Sequence, residues 1–319
     1  MSFVTITSCT NRKSRTGNDW HFSTDKGDGS LLVYAIEWAS HAKGVIKSAA
    51  DVVRVSQLYQ GRSFTESVRV AGALSARLLV VSAGLGLIDI DDLAFPYNLS
   101  VSDRDNELFR LISRTGSTNS QWWAALGDAG LGRGSIASIV DTKATGAKVL
   151  IALPSTYLSM VSHDVISLSD ESVVKVRILT HPGSMAMLPQ RLQELVMPYD
   201  ERLQSIRQFA GTRSDFAQRA LSHFVLGLGA HDLPLESAKQ AVTRAMERLS
   251  HVKLPTRRRA SDDVILNHIA DHWDRTNGHG NRLLRVLRDD LLVSCEQGRF
   301  QGLWRQYKAQ MDGVKENVT

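Results

Sequence analysis

Side chains that could take part in chemistry follow each of four short apolar runs in this sequence. The first group, residues 8–14, reads SCTNRKS and holds hydroxyls, an amide and two cations. Small residues at 82–86 follow the second run, and polar groups open at Ser155 and His181 after the third and fourth runs. Asn11 could orient a water molecule or read a base edge, because an amide both donates and accepts hydrogen bonds. The four groups are therefore the candidate positions for binding or catalysis.

Strands and helices must position these groups. Four runs, at residues 3–7, 77–82, 147–154 and 173–180, are short, apolar and rich in Val, Ile and Leu, as is typical of strands covered on both faces. Helical patterns lie between them, and this alternation predicts an α/β fold with a doubly wound, four-stranded and mainly parallel sheet. Ligands of such sheets bind beyond the carboxyl ends of the strands, so we expect the four groups to meet at one edge.

After about residue 200 the strand pattern gives way to helical periodicity. We therefore predict an α/β domain over residues 1–200 and a helical module over residues 201–319, to which the catalytic and DNA-binding roles argued below are assigned. The second region holds 19 lysines and arginines against 14 acidic residues, so it carries the whole net charge of +5. A local basic excess is typical of proteins with a polyanionic partner, although solubility would account for it equally well.

Composition limits the class of protein. The chain has 319 residues, of which 43% are hydrophobic and 22% charged, as is typical of a globular protein. No apolar run approaches the ~20 residues that span a bilayer, and the N-terminus lacks the pattern of a signal peptide. Cys9 and Cys295 form no disulfide framework and no recognisable metal site. We expect a cytoplasmic protein with no metal, no cofactor and no membrane partner, and the sequence does not indicate an oligomeric state.

The groups after the second and fourth runs lead to specific expectations. Gly84 and Gly86 would let the backbone approach a ligand closely, and Tyr97 could stack on a planar ring. Asp89 is a candidate carboxylate, although most aspartates in such runs cap helices or face water. His181 could donate a hydrogen bond to an oxyanion that develops on a leaving base. The structural alternatives are a core aromatic for Tyr97 and an incidental residue of a proline turn for His181.

The order of motifs in the first hundred residues resembles that of the YaaA/DUF6884-like superfamily. Cys9 and Lys13 keep its C-x-x-x-K spacing, and residues 58–59 match its Leu-Tyr pair. Residues 82–87 match its third motif with Gly-Leu in place of Lys-Tyr, and residues 97–98 read Tyr-Asn in place of Tyr-Asp. Members of this group occur with DNA-base modification and phage–host conflict, and some relatives look like glycosylases that remove hypermodified pyrimidines. The resemblance implies an enzyme that acts on modified DNA bases.

A second resemblance is to the uracil-DNA glycosylase superfamily, whose four-stranded parallel sheet carries one motif after its first strand and another after its last. In the mismatch-specific branch, the asparagine of the first motif positions the attacking water. Residues 10–12, Thr-Asn-Arg, fall at that place, and residues 181–184, His-Pro-Gly-Ser, fall at the second motif. This resemblance implies that Asn11 holds the water and that the product is an abasic site.

Residues 275–300 resemble the tail that accompanies anti-phage members of the YaaA/DUF6884-like superfamily. Arg282, Arg285 and Arg288 recur at three-residue spacing, which places them along one face of a helix and suits them to phosphates. A solvated amphipathic helix is the alternative. DNA contacts are also assigned to Arg12, Arg257, Arg258 and Arg259.

Together these features predict a DNA glycosylase that flips a modified pyrimidine out of double-stranded phage DNA and excises it. A glucosylated hydroxymethyl pyrimidine is one candidate for the modified base. The predicted catalytic residues are Asn11, Asp89 and His181. The residues assigned to the flipped nucleotide and its surroundings are Ser8, Thr10, Lys13, Tyr59, Ser82, Ala83, Gly84, Gly86, Tyr97, Asn98, Ser155, Tyr157 and Ser184.

Alternatives stay open at the level of sequence. Water is the preferred nucleophile and the Lys13 amine is its alternative, because buried lysines shift their pKa readily. A base-exchanging or base-modifying enzyme of a deazaguanine DNA pathway is a second class of function. A non-catalytic DNA-binding stress protein is a third.

Overall fold

The computed structural model describes residues 2–15, 20–22, 30–48, 51–143, 147–251 and 256–316. The chain forms two compact units, Met1–Val252 and Lys253–Thr319. The strands of the first unit are β1 (Phe3–Ser8), β2 (Val53–Arg54), β3 (Arg77–Ser82), β4 (Gly86–Asp89), β5 (Leu93–Ala94), β6 (Lys148–Ala152) and β7 (Val176–Leu179). Those of the second unit are β8 (Arg258–Arg259) and β9 (Val293–Ser294).

Helices make up most of the remaining described chain. In the first unit they are α1 (Leu31–Ser48), α2 (Val55–Leu58), α3 (Arg62–Ala73), α4 (Glu107–Arg114), α5 (Asn119–Asp128), α6 (Ile136–Lys143), α7 (Ser155–Ile166), α8 (Asp170–Val173), α9 (Gln190–Gln193), α10 (Phe216–Ser222) and α11 (Leu235–Glu247). In the second unit they are α12 (Asp262–Asp271), α13 (Gly280–Arg285) and α14 (Gln297–Glu316). Short 3-10 turns cover Pro182–Met187, Glu201–Ser205, Arg207–Phe209, Ala230–Asp232 and Asp274–Thr276, and π-helical turns cover His223–Gly227 and Val286–Asp290.

Five strands form the central sheet, in the order β4–β3–β1–β6–β7. β1 is parallel to β3 and to β6, and β6 is parallel to β7, whereas β4 returns antiparallel to β3. The four parallel strands are those that the apolar runs predict, so the α/β prediction is confirmed. The fifth strand, β4, is not among the predicted strands, because its four residues directly follow the small-residue turn that suggested a ligand loop.

Alternate residues of these strands pack into two different hydrophobic cores. Val4 and Ile6 of β1 face the core that is built with α1, α5 and α7, whereas Phe3 faces the opposite core. In that second core the sheet meets Phe216 and Leu221 of α10, which are fully buried. Helices therefore cover both faces of the sheet, as expected for strands that are apolar throughout.

The boundary between the units lies near residue 252 and not at the predicted residue 200. α10 packs against α3, β6 and β7, and α11 adds Val242 and Met246 to the same core. Without these helices one face of the sheet would be exposed, so residues 201–252 belong with the sheet. Helical periodicity identifies an apolar face but not the surface that covers it, which is why the sequence misplaces the boundary.

The second unit has its own core, to which Ile265 of α12, Leu287 and Phe300 of α14 contribute. β8 and β9 pair in parallel beside it, and the prediction of a helical C-terminal region is confirmed. Within the described ranges of the whole chain, no helix is both long and apolar enough to cross a membrane.

Candidate active site at the carboxyl edge of the sheet

The carboxyl ends of the four parallel strands lie along one edge of the sheet. Cys9 directly follows β1, and its backbone N–H donates to the carbonyl oxygen of Val81 in β3 at 2.9 Å. Ser82 ends β3, β6 leads into Ser155, and β7 leads into His181. The structure therefore brings all four polar groups to a common edge, which we call the carboxyl edge.

A buried hydroxyl cluster, formed by Tyr59, Ser82 and Tyr97, lies behind the end of β3. The Tyr97 hydroxyl is 2.5 Å from Ser82 Oγ and 2.7 Å from the Tyr59 hydroxyl. The backbone N–H of Leu85 donates to Ser82 Oγ at 2.9 Å, which fixes the turn after β3. Burial raises the pKa of both tyrosines, so their hydroxyls remain protonated hydrogen-bonding groups at neutral pH.

Cys9 and Tyr157 extend the hydroxyl cluster towards α7. Cys9 Sγ lies 3.1 Å from the Tyr157 hydroxyl, and both residues are buried. Burial raises the pKa of Tyr157 as well. Because the thiol is buried and hydrogen-bonded, it lacks the exposure that characterises a reactive cysteine.

Lys13 lies half-buried over the hydroxyl cluster. Its Nζ is 4.5 Å from the ring centroid of Tyr97 and 5.9 Å from that of Tyr59, and a backbone bridge to Tyr59 fixes the residue. Within the part of the chain that the structure describes, no carboxylate pairs with this amine. Burial lowers the pKa of Lys13, and Cys9 opposes only part of that shift. A lowered pKa increases the fraction of neutral, nucleophilic amine.

The loop after β1 presents Asn11 and Arg12 to solvent. Thr10 Oγ1 lies 2.7 Å from the carbonyl oxygen of Gln60 and 2.8 Å from that of Arg12. The backbone N–H of Gln60 also donates to the Arg12 carbonyl at 2.9 Å. Thr10 thus orders the loop, and the Asn11 amide has no hydrogen-bond partner among the described residues, so it can bind water or a base edge.

His181 precedes the 3-10 turn that follows β7. Its Nδ1 accepts a hydrogen bond from the backbone N–H of Gly183 at 3.1 Å, so the neutral ring carries its proton on Nε2. Nε2 is 3.4 Å from Glu201 Oε1. Burial lowers the pKa of His181, and the positive charge of Arg213 lowers it further. The side chain is therefore a neutral N–H donor at neutral pH.

Three exposed arginines, Arg12, Arg62 and Arg213, form what we call the cationic rim of this edge. Arg62 donates to two carbonyl oxygens of the 208–210 segment at 2.5 and 3.2 Å, and Arg213 Nη2 lies close to Gly183. None of the three pairs with a carboxylate in the described ranges. Sequence analysis assigned only Arg12, because Arg62 belongs to no charge motif and Arg213 lies beyond the predicted domain boundary.

Asp89 does not belong to the site, contrary to prediction. It ends β4, and because β4 is antiparallel it lies opposite Leu79, towards the amino end of β3. Its Oδ2 accepts from Arg77 Nε at 2.6 Å, and its Oδ1 accepts from the backbone N–H of Asp91 at 3.2 Å. The hairpin that the sequence did not reveal therefore carries this carboxylate away from the carboxyl edge.

The predicted base pocket beside Gly84 is also wrong. A Cβ on Gly84 would lie 2.7 Å from Tyr97 Cε2, so the tyrosine ring fills the space assigned to a base. Tyr97 is 2% exposed and has no open face for stacking. The carbonyl oxygens of Ala83 and Gly84 accept hydrogen bonds from the indoles of Trp122 at 2.8 Å and Trp38 at 2.5 Å.

Gly86 serves the hairpin in a similar way. Its φ of +71° is in the left-handed region, and a Cβ there would lie 3.1 Å from the carbonyl oxygen of Leu131. Gly84 and Gly86 therefore make room for the Tyr97 ring and for the backbone of Leu131. The sequence had suggested that this space holds a flipped base.

The remaining predicted residues are divided between core and surface. Ser8 and Ser184 are buried, and the Thr180 hydroxyl donates to Ser184 Oγ at 3.3 Å. Ser155 is half-buried in the first turn of α7. Asn98 is exposed, and its backbone and side-chain oxygens accept from the Asn106 side-chain amide at 3.2 and 3.4 Å.

In the second unit, the helical face predicted to carry Arg282, Arg285 and Arg288 does not extend to the third arginine. α13 ends at Arg285 and continues as a π-helical turn, in which Arg288 donates to the Cys295 carbonyl at 3.2 and 2.6 Å. Arg282 and Arg285 are exposed, so two of the three predicted arginines can reach a phosphate.

The three consecutive arginines at residues 257–259, also predicted to contact DNA, are likewise divided between paired and exposed positions. Arg257 pairs with Asp289 at 3.0 Å and donates to the Arg288 carbonyl at 2.7 Å. Arg258 and Arg259 are exposed on β8.

Known proteins provide no further assignment of the site. Comparison with protein-family models, with curated proteins and with solved structures finds no match to this chain. Across the described ranges, no group of three or more His, Cys, Asp or Glu side chains is arranged to hold a metal ion. The function must therefore be inferred from the chemistry of the carboxyl edge.

Proposed function

We propose that this chain is a DNA N-glycosylase that excises a modified pyrimidine from phage DNA and leaves an abasic site. The observation that carries the proposal is the combination, at one edge of the sheet, of the unpartnered Asn11 amide with the cationic rim. An enzyme that acts on a base must take it out of the duplex, and the phosphates that flank it must be held by cations. The carboxyl edge offers groups suited to both tasks.

In the proposed complex, the cationic rim contacts the phosphates on either side of the flipped nucleotide. Arg62 is well suited to this role because its hydrogen bonds to the 208–210 segment already orient the guanidinium. The base enters beside the loop after β1, since the space next to Gly84 is filled by Tyr97. Asn11 then reads or holds the groups nearest the glycosidic bond.

The proposed chemical step is hydrolysis of that bond. Asn11 holds a water molecule, whose oxygen bonds to C1′ while the bond from C1′ to the base nitrogen breaks. The electron pair of the broken bond leaves with the base, and the water proton passes to solvent. His181, kept neutral by burial, donates its Nε2–H to the charge that develops on the leaving base.

Glu201 replaces Asp89 as the candidate carboxylate for this step. It is exposed, and its Oε1 lies 3.4 Å from His181 Nε2, whereas Asp89 pairs with Arg77 away from this edge. Cleavage of a glycosidic bond places positive charge on the sugar, which a nearby anion stabilises. We expect Glu201→Gln to slow base release more than Asp89→Asn does.

The experiment that tests the proposal is incubation of the full chain with genomic DNA from phages that carry different pyrimidine modifications. We expect a free modified base and an equal amount of abasic sites, measured by mass spectrometry and by an aldehyde-reactive probe. Asn11→Ala is the matched protein control, because an exposed loop residue contributes little to stability.

Other products would identify the rival functions. Incorporation of a new base in place of the old one would indicate a base-exchanging enzyme of a deazaguanine pathway. A mobility shift with no change in the DNA would indicate a DNA-binding stress protein. The proposed site of action is the cytoplasm, where phage DNA enters the cell.

A further inference from the structure

Lys13 offers a chemistry that the proposed base excision does not use. Its amine lies two residues after Asn11 in the same loop, half-buried on the ring of Tyr97. The backbone bridge to Tyr59 holds the loop at this point. A substrate that reaches Asn11 therefore lies within two residues of this amine along an ordered stretch of backbone.

We propose that the Lys13 amine forms an imine with the C1′ aldehyde of an abasic site and thereby cleaves the DNA strand. This inference rests on the proposed function, because an abasic site is the product of base excision. It adds a lyase step to the same site and assigns the amine a catalytic role.

The surroundings of Lys13 favour a nucleophile over a phosphate ligand. A lysine that binds phosphate is normally charged and solvated, as the exposed guanidinium groups of the cationic rim are. Lys13 instead contacts two aromatic rings and has no carboxylate partner in the described ranges. Loss of solvation without a compensating anion favours the neutral amine, which is the reactive form.

Two other nucleophilic groups beside Lys13, Cys9 and Ser82, are already engaged. Cys9 is buried, and its thiol is hydrogen-bonded to Tyr157. Ser82 is buried, and its hydroxyl contacts Tyr97 and accepts from the turn after β3. Of Lys13, Cys9 and Ser82, only Lys13 combines partial exposure with the absence of a hydrogen-bond partner in the described ranges.

The proposed reaction balances without a cofactor. The Nζ lone pair attacks C1′ of the ring-opened sugar, and the resulting carbinolamine takes up one proton from solvent and loses one water to give a protonated imine; the later hydrolysis of the imine returns that proton. Water then takes a C2′ proton, the C2′–H electron pair forms a double bond, and the bond between C3′ and oxygen breaks. The 3′ phosphate leaves with the electron pair of that bond. A second water hydrolyses the imine and returns the amine.

The ring of Tyr97 suits the charged intermediate. A protonated imine keeps the positive charge at the position of Nζ, 4.5 Å from the ring centroid. Cations within ~6 Å of an aromatic face are attracted by the negative charge of its π system. The ring thus stabilises a cation at this position at the imine stage, as it does in the protonated form of the free lysine.

The test uses the full chain and a synthetic duplex with one preformed abasic site, so it does not require base excision. Sodium borohydride reduces an imine to a stable secondary amine, which links the protein to the DNA. We expect an adduct whose sugar remnant maps by mass spectrometry to the peptide that contains Lys13. Lys13→Gln should give no adduct above the borohydride-free background. Lys239→Gln, which removes a surface lysine paired with Glu236, should give the wild-type yield.

Two results would overturn the inference. One is an adduct that maps to another lysine or to the N-terminus. The other is the absence of an adduct at concentrations at which the abasic duplex is bound in a gel shift. Peptide mapping of the wild-type adduct does not depend on how well the variant folds.

The lyase and the base-excision proposals fail separately. A chain that releases modified bases but is never trapped on the abasic duplex retains the glycosylase assignment and loses the lyase step. A chain that is trapped but releases no base from any modified DNA retains the lyase step and loses the glycosylase assignment.

Discussion

At the scale of single residues, Lys13 has the most unusual surroundings at the carboxyl edge. The arginines of the cationic rim remain exposed, whereas the Lys13 amine is partly withdrawn from water onto Tyr97 and Tyr59. Burial of a charged group without a partner is unfavourable. Its position is therefore easier to explain by a need for a reactive amine than by a gain in stability.

The lowered pKa of Lys13 predicts a pH-dependent stability. The pKa of an unfolded lysine is about 10.4, so between the lowered native pKa and that value the unfolded chain binds more protons at this residue. The stability of the wild type should therefore rise with pH across this window, relative to Lys13→Met. Urea unfolding of both proteins at pH 7 and pH 10 measures the difference. A stability difference between the wild type and Lys13→Met that is the same at both pH values would contradict the assignment.

Gly84 provides a test of how the turn after β3 is packed. We expect Gly84→Ala to lower the free energy of unfolding by about 1–3 kcal/mol, because the new methyl group collides with the Tyr97 ring. Gly72→Ala is the matched control, since a Cβ there meets nothing within 4 Å in helix α3 and should stabilise by roughly 0.5–1 kcal/mol. Tyr97→Leu should reduce the cost of Gly84→Ala in a double-mutant cycle. Additive effects would mean that the ring does not fill this space.

At the scale of elements, the rule that ligands bind beyond the carboxyl ends of parallel strands explains what the sequence could predict. The four apolar runs locate β1, β3, β6 and β7, and so bring Asn11 and His181 to one edge. The rule fails for Asp89, because a four-residue strand reverses the chain and takes this side chain to the other end of β3. Turns of small residues look alike in sequence whether they admit a ligand or a tyrosine ring, so the packing of Gly84 was not predictable.

β4 is the edge strand of the sheet, and a loop that contains Gly132 protects it. The backbone N–H of Arg133 donates to the carbonyl oxygen of Leu87 in β4 at 2.7 Å, and Gly132 has a φ of +78°. Covering an exposed strand edge prevents it from pairing with another chain. Arg133 also pairs with Asp92 just beyond the strand. The hairpin that carries Asp89 away from the site is thus held in place by this loop.

Gly132→Ala should weaken the packing of this loop on β4. A left-handed residue with a side chain costs about 1–3 kcal/mol, and the added Cβ would also lie 2.7 Å from the Leu87 backbone nitrogen. Gly116→Ala is the control for strain alone, because its φ is +62° and a Cβ there meets nothing within 4 Å. Chemical denaturation should show a larger loss in the free energy of unfolding for Gly132→Ala than for Gly116→Ala. Equal losses would mean that the loop can move away from β4 without a change in stability.

At the scale of the whole molecule, the chain divides differently from the predicted scheme of one catalytic and one basic domain. The cationic rim belongs to the unit that contains the sheet, and Arg213 lies beyond the predicted boundary. Residues 253–319 hold 12 lysines and arginines against 9 acidic residues, so they carry only part of the positive excess. Net charge along the sequence could not reveal the rim. The first 200 residues contain as many acidic as basic residues, so Arg12 and Arg62 do not appear as a local excess of positive charge.

The position of the boundary predicts which fragments fold. A fragment that ends at Val252 keeps α10 and α11 on the second core and should unfold cooperatively in urea, followed by circular dichroism. A fragment that ends at residue 200 would expose Leu150 and Leu179 of the sheet, so it should aggregate or lack a cooperative transition. Cooperative unfolding of the shorter fragment would show that the second core is not required by the sheet.

The central claim is that base excision takes place at the carboxyl edge and depends on Asn11. The most direct measurement is the single-turnover rate of base release from modified DNA at saturating enzyme, for the wild type, Asn11→Ala and Asp89→Asn. Asn11→Ala is predicted to lower this rate by about 100-fold or more, the scale of a lost catalytic group, with an unchanged unfolding midpoint. Asp89→Asn should stay within about tenfold of the wild type, or ~1.4 kcal/mol. A rate for Asn11→Ala within that same range, or a collapse for a well-folded Asp89→Asn, would contradict the account.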